Sequence, residues 1–127
     1  MDTTAKLLED SLLRIWNDRN AENRLALMND IYTNDIAFYE TNEGPAIVGH
    51  QAINELISRL QAGWPATFTF ELLGPAGINH HVQQISWRLG ESGAQAAATG
   101  SDIAIVNDGK IASLFLFLGV DIDVSAA

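Results

Sequence analysis

An Asp-Gly pair, Asp108-Gly109, separates two apolar runs at residues 100–106 and 111–118. A two-residue connection of this kind is a strong hairpin signal, because the turn that matches strand twist needs positive φ at both central positions, and Asp and Gly tolerate it. The pair therefore predicts two antiparallel strands with Asn107 opposite Lys110. Counting back along a regular ladder sets Asp102 opposite Phe115 and Ala104 opposite Ser113, and directly opposed side chains share a face. Asp102 is then expected among Gly100, Ala104, Ser113, Phe115 and Phe117, with Ser101, Ile103, Ile105, Leu114 and Leu116 on the other side. Both faces are largely apolar, so both should be covered. A slip of one residue would exchange them.

A carboxylate held among apolar side chains is penalised in its charged form, so its pKa rises, by up to about 3–5 units for a fully buried group. Such a group can donate a hydrogen bond near neutral pH. The other reading of Asp102 is a rim position that reaches water or caps a backbone amide.

The 127 residues suit one domain, residues 1–127, with 121–127 as a tail or short extension. Sixteen acidic against seven basic residues give a formal charge of −9, which argues against nucleic acid or an anionic membrane as partner. The absence of cysteine excludes disulfides, thiolate catalysis and cysteine-ligated metals. Met1-Asp2-Thr3-Thr4 lacks the basic start of a signal peptide, and the longest apolar run is too short to span a bilayer, so a cytoplasmic location is expected. No Gly-x-Ser-x-Gly elbow, Walker loop or Rossmann glycine pattern is present. Hydrolytic, nucleotide and dinucleotide chemistry are poorly supported, and no cofactor is expected.

The first half reads as helical. Leu7, Leu8, Leu12, Ile15 and Trp16 recur at helical spacing after a Thr3-Thr4 cap, and Leu25, Met28 and Tyr32 repeat the pattern after Asn20. Residues 36–40 and 46–48 form a small hairpin across the turn-rich segment 41–45. A third helix follows Gly49, with Ile53, Leu56, Ile57 and Leu60 in one stripe, and ends near Gly63. Four longer strands are expected over 67–73, 81–89, 94–106 and 111–118. Helices first and antiparallel strands last indicate an α+β domain with helices on one face of a curved sheet. Leu114, Leu116 and Leu118 should point away from Phe115 and Phe117, and one helical layer cannot cover both sets. Sheet-to-sheet homodimerisation is the simplest way to cover the remainder.

Trp16-Asn17 closing helix one, Tyr32-Thr33-Asn34-Asp35 before a short strand, Gly49-His50-Gln51-Ala52-Ile53 opening helix three, then Gly100-Ser101-Asp102 and Asp108-Gly109-Lys110-Ile111 together resemble the nuclear transport factor 2-like superfamily. The nearest branch is the SnoaL-like, ketosteroid-isomerase-like group, and the resemblance runs from about residue 7 to 118. It implies a cone-shaped fold, with three N-terminal helices packed on a curved, mostly antiparallel sheet and a pocket between them. In ketosteroid isomerases one carboxylate takes a proton beside a carbonyl while a tyrosine and a protonated aspartate stabilise the enolate. The resemblance puts Glu40 at the base position, at the end of Asn34-Asp35-Ile36-Ala37-Phe38-Tyr39-Glu40, and Asp102 at the protonated aspartate, which also resembles the acid–base aspartate of SnoaL-type cyclases. The isomerase tyrosine would fall near Leu12, which cannot donate a hydrogen bond, and Glu40 is one methylene longer than the usual aspartate.

Glu40 shares strand parity with Ile36 and Phe38, so it either points into the same cavity or forms a solvated strand end. Of His80 and His81 only one can look inward, and His81 is the candidate for a ligand hydrogen bond; no ligand spacing supports a metal site. Trp16, Trp64, Trp87, Phe38, Phe70, Phe115 and Phe117 are either core or the lining of an apolar cavity for a flat or polycyclic ligand. The expected function is cofactor-independent acid–base catalysis on a small hydrophobic carbonyl compound. Asp102 and Glu40 would be catalytic, and Leu12, Trp16, Phe38, His81, Trp87, Phe115 and Phe117 would surround the substrate. A non-catalytic binding module and a dimeric interaction scaffold are the alternatives.

Overall fold

A computed structural model describes residues 6–119, so the Thr3-Thr4 cap and the 121–127 tail lie outside the described residues. Helix α1, Leu7–Asp10, runs directly into a π-helical segment, Ser11–Trp16. Helix α2 spans Ala21–Ile31, and Asn20 caps it as its pattern predicts, accepting a hydrogen bond from Asn23 N–H. Helix α3 spans His50–Ala62 between Gly49 and Gly63. The strands are β1 (Tyr32–Tyr39), β2 (Ile47–Val48), β3 (Phe68–Leu72), β4 (Gly77–Asn79), β5 (Val82–Glu91), β6 (Ala98–Asn107) and β7 (Lys110–Leu118). They form one curved, open sheet in the order β2-β1-β7-β6-β5-β3, with β4 paired to β5. All pairings are antiparallel except β1 with β7.

The helices cover one face of this sheet. Leu8, Ile15, Met28, Ile53 and Ile57 meet Tyr32, Ile36, Ile85, Ala104, Ile111 and Leu114 in a single buried cluster. Arg24, 1 % exposed, binds α2 to α3: its Nε donates to Asn54 Oδ1 at 2.6 Å, and Nη1 donates to Gln61 Oε1 at 2.9 Å and to the Asp18 carbonyl at 2.8 Å. Nη2 reaches Ser58 Oγ. A guanidinium out of water is tolerated because its fork of donors is met by fixed acceptors.

Two expectations need correction. The hairpin turn is as read, with Asp108 at φ 53° and Gly109 at φ 78°, Asn107 facing Lys110 and Val106 facing Ile111. Ile105, however, faces Ser113, so Ala112 is an extra residue and β7 carries a bulge. Beyond it the alternation is reversed: Asp102 faces Leu116 and Ile103 faces Phe115. Leu114, Leu116 and Leu118 therefore share the helix-covered face with Asp102, and Phe115 and Phe117 project from the opposite, convex face. Phe115 stacks there on Tyr39, with ring centroids 4.7 Å apart and planes 6° from parallel, and Phe117 is 48 % exposed. The second correction concerns Tyr32, which opens β1 and does not end the stripe of α2. Its side chain is fully buried all the same.

Candidate functional site

The concave face and the helices leave a cavity of about 230 Å³ between them. Leu12 and Trp16 reach it from the π-helical segment, and Leu60 and Trp64 from α3 and the residues after it. Phe38, Phe70, Trp87 and Leu89 line it from β1, β3 and β5, with Ala98, Asp102, Leu116 and Leu118 from β6 and β7. Glu40, one residue beyond β1, completes the wall. The rings form an edge-to-face chain: Trp16 meets Phe38 at 5.5 Å, Phe70 meets Trp87 at 5.1 Å, and Trp64 meets Phe70 at 5.6 Å. Such contacts fix ring orientation and keep the wall rigid.

Asp102 is 8 % exposed. Its Oδ1 accepts a hydrogen bond from Trp87 Nε1 at 3.1 Å, a diagonal contact, since Trp87 pairs with Gly100 and Asp102 with Ile85. The diagonal is possible because position 100 has no side chain: a Cβ there would lie 2.5 Å from Trp87 Cζ2 and 2.9 Å from Cη2. The indole lies across Gly100 and aims its N–H at the carboxylate two residues along. Burial pushes the Asp102 pKa up to about 6, against the opposing pull of the Trp87 hydrogen bond. Its second oxygen, Oδ2, has no hydrogen-bond partner among the described residues.

Tyr32 stands one layer behind the cavity. Ser11 Oγ lies 2.5 Å from its hydroxyl, and Trp16 Nε1 donates to the same oxygen at 3.3 Å. Ser11 and Trp16 are five residues apart, and the wider π-helical turn brings residues at that spacing to one side. Burial pushes the Tyr32 pKa up to about 12, the Ser11 and Trp16 hydrogen bonds oppose it, and the charge of Asp102 adds to the rise. Tyr32 thus remains a neutral phenol that holds Trp16 in the wall. The sequence carried one sign of this: a large apolar position with a hydroxyl that must find a partner when buried.

Six of the expected site residues converge on the cavity: Asp102, Glu40, Leu12, Trp16, Phe38 and Trp87. Tyr39 pairs with Phe115 and Asp102 with Leu116, so Glu40 follows at the level of Leu116, with Asp102 one strand further. Their backbones stand about 10 Å apart, two strand spacings. Three expected residues lie elsewhere. Phe115 and Phe117 are turned to the convex face by the bulge at Ala112. His81 is exposed in the turn between β4 and β5, where its carbonyl accepts the Val106 N–H at 2.8 Å. Leu60, Leu89 and Ala98 line the cavity without having been singled out, because apolar residues of core and cavity look alike in sequence. No group of three or more histidine, aspartate or glutamate side chains positioned to hold a metal occurs among the described residues.

No protein-family model and no curated protein matches the sequence. Solved structures do match. A presumed isomerase of the SnoaL-like family from Agrobacterium tumefaciens aligns over 92 % of this chain and 98 % of its own, with a TM-score of 0.79 and 23 % identity. A presumed SnoaL-like polyketide cyclase from Jannaschia sp. aligns over 97 % and 88 %, with a TM-score of 0.72 and 11 % identity. The chain has the fold of these SnoaL-like structures. A presumed ketosteroid isomerase from Kribbella flavida also shares it, over 91 % of this chain and 76 % of its own, with a TM-score of 0.65 and 16 % identity. At these identities the likeness describes the SnoaL-like architecture, and activity has to be argued from the site.

Proposed function

We propose that the cavity binds a small hydrophobic carbonyl compound and carries out cofactor-independent acid–base chemistry on it, an isomerisation or an aldol-type cyclisation. The observation that carries this reading is a buried carboxylate, Asp102, with one oxygen tied to Trp87, in the wall of an apolar cavity that a second carboxylate, Glu40, also lines. In its protonated form Asp102 donates a hydrogen bond through Oδ2 to the substrate oxygen and stabilises the negative charge that develops there. Glu40 takes the proton from the carbon beside the carbonyl and returns it at the end of the conjugated system. Aromatic walls exclude water, which strengthens both interactions. The presumed isomerase and cyclase functions of the structural neighbours are consistent with this chemistry.

A β,γ-unsaturated cyclohexenone is a suitable probe, since its conversion to the conjugated enone is followed by ultraviolet absorbance. Wild-type protein should catalyse the conversion, and Asp102→Asn and Glu40→Gln should lose it while keeping cooperative unfolding. Full activity in Asp102→Asn refutes the reading. Binding of the ketone without conversion would assign the cavity to a carrier. The reading also includes a homodimer: Tyr39, Ile105 and Phe117 are all more than a third exposed on the convex face, and a second copy would cover them.

A further inference from the structure

The cavity constrains its occupant in size and in charge. A cavity of about 150 Å³ lined by apolar side chains holds benzene, so the 230 Å³ found here takes one six-membered ring and roughly two to four further non-hydrogen atoms. A larger molecule would have to leave by the rim, where Leu118 is 63 % exposed and Glu40 is half-buried.

The charged residues in the wall are Asp102 and Glu40, and no lysine, arginine or histidine stands among the lining side chains. Two of the three indole N–H groups are already committed, Trp16 to Tyr32 and Trp87 to Asp102. An anionic ligand would thus meet two acidic groups, one buried where water screens little, with no cation to offset them. A neutral acceptor needs only the proton that Asp102 can supply.

We infer that the ligand is a compact molecule of one ring or equivalent size that carries no anionic group, and that the cavity selects against organic acids and polycyclic ketones. This rests on the reading of the cavity as the ligand site, and it narrows the substrate class for that site. Polycyclic compounds, which the aromatic content alone would admit, exceed the space these rings leave.

Isothermal titration at pH 6 with methylcyclohexanone, cyclohexanecarboxylate and decalone tests the inference on the intact chain. The single-ring ketone should bind, and the acid and the bicyclic ketone should each bind at least about tenfold more weakly. Glu40→Gln should narrow the gap for the acid, and Leu116→Ala, which enlarges the wall between the two carboxylates, should narrow it for decalone. Wild-type affinity for the acid or for decalone equal to that for methylcyclohexanone overturns the inference and leaves the acid–base reading intact. Failure of all three to bind overturns both. Binding in the expected order with conversion of the cyclohexenone unaffected by Asp102→Asn supports the inference and removes only the catalytic reading.

Discussion

Replacing Asp102 by Asn should stabilise the protein at neutral pH and leave it nearly unchanged in acid. The folded state holds this carboxyl at a pKa of about 6, against an ordinary value of 3.8. Between those values the folded protein binds more protons than the unfolded chain, so stability falls as pH rises through the window. Roughly two pKa units at 1.36 kcal/mol each amount to about 3 kcal/mol, absent below pH 4 and fully present above pH 7. Asn keeps an acceptor oxygen for Trp87 Nε1 and has no charge to desolvate. Urea denaturation of both proteins from pH 4 to 8 gives the difference directly, since the other titrating groups cancel. The difference should grow by about 3 kcal/mol across the window, which corresponds to a rise in Tm on the order of 10 °C for a chain of this length. A difference that stays flat between pH 4 and 8 would show that Asp102 is solvated and would remove the physical basis of the site.

Trp87→Phe removes the hydrogen bond that opposes burial, so the Asp102 pKa should move further up, as read by carboxyl carbon NMR. Gly100→Ala should do the same, because the new methyl displaces the indole, and it should cost about 1–3 kcal/mol in urea unfolding. Arg24→Ala should cost about 3 kcal/mol or more, since Asn54 Oδ1 and Gln61 Oε1 lose their donor and the Asp18 carbonyl keeps only Gln61 Nε2; Arg24→Lys should recover only part of that stability, as an ammonium cannot reproduce the fork. If the convex face joins two copies, Phe117→Glu should shift the wild-type dimer to monomer in light scattering, with little change in the circular dichroism spectrum.

The architecture is legible in the sequence because its punctuation is local. Asn20 and Gly63 mark helix ends, and Asp108-Gly109 marks the hairpin, each through a backbone or capping requirement confined to one or two residues. The bulge at Ala112 escaped because Ile111-Ala112-Ser113 has no glycine or proline to signal it, and what selects it is the pairing of β7 with two neighbours at once. β7 must satisfy both the turn at Asp108-Gly109 and its parallel contact with β1, where Ala37 meets Ser113. The burial of Asp102 was foreseen with the wrong neighbours: position 102 on β6 looks toward the helices, but leucines surround it where phenylalanines were expected. Tyr32 is ambiguous in the sequence because residues 28 and 32 fit a helical stripe as well as a strand start, and the phenol is buried either way. The π-helical turn at Ser11–Trp16 has no local signature, since the hydroxyl that ties its two ends together comes from β1.

The unpaired Ala112 gives the fold an inexpensive means of changing its interior. Were Ala112 paired with Ile105 in a regular ladder from the same turn, Asp102 would face Phe115, and Phe115 and Phe117 would rotate inward in exchange for Leu114, Leu116 and Leu118. Two aromatic rings would then press against Asp102 and occupy the hollow, while the leucines passed to the outer surface. In this chain the choice between an open chamber and a solid core is therefore a matter of phase along a single strand, decided by whether one alanine pairs or is passed over.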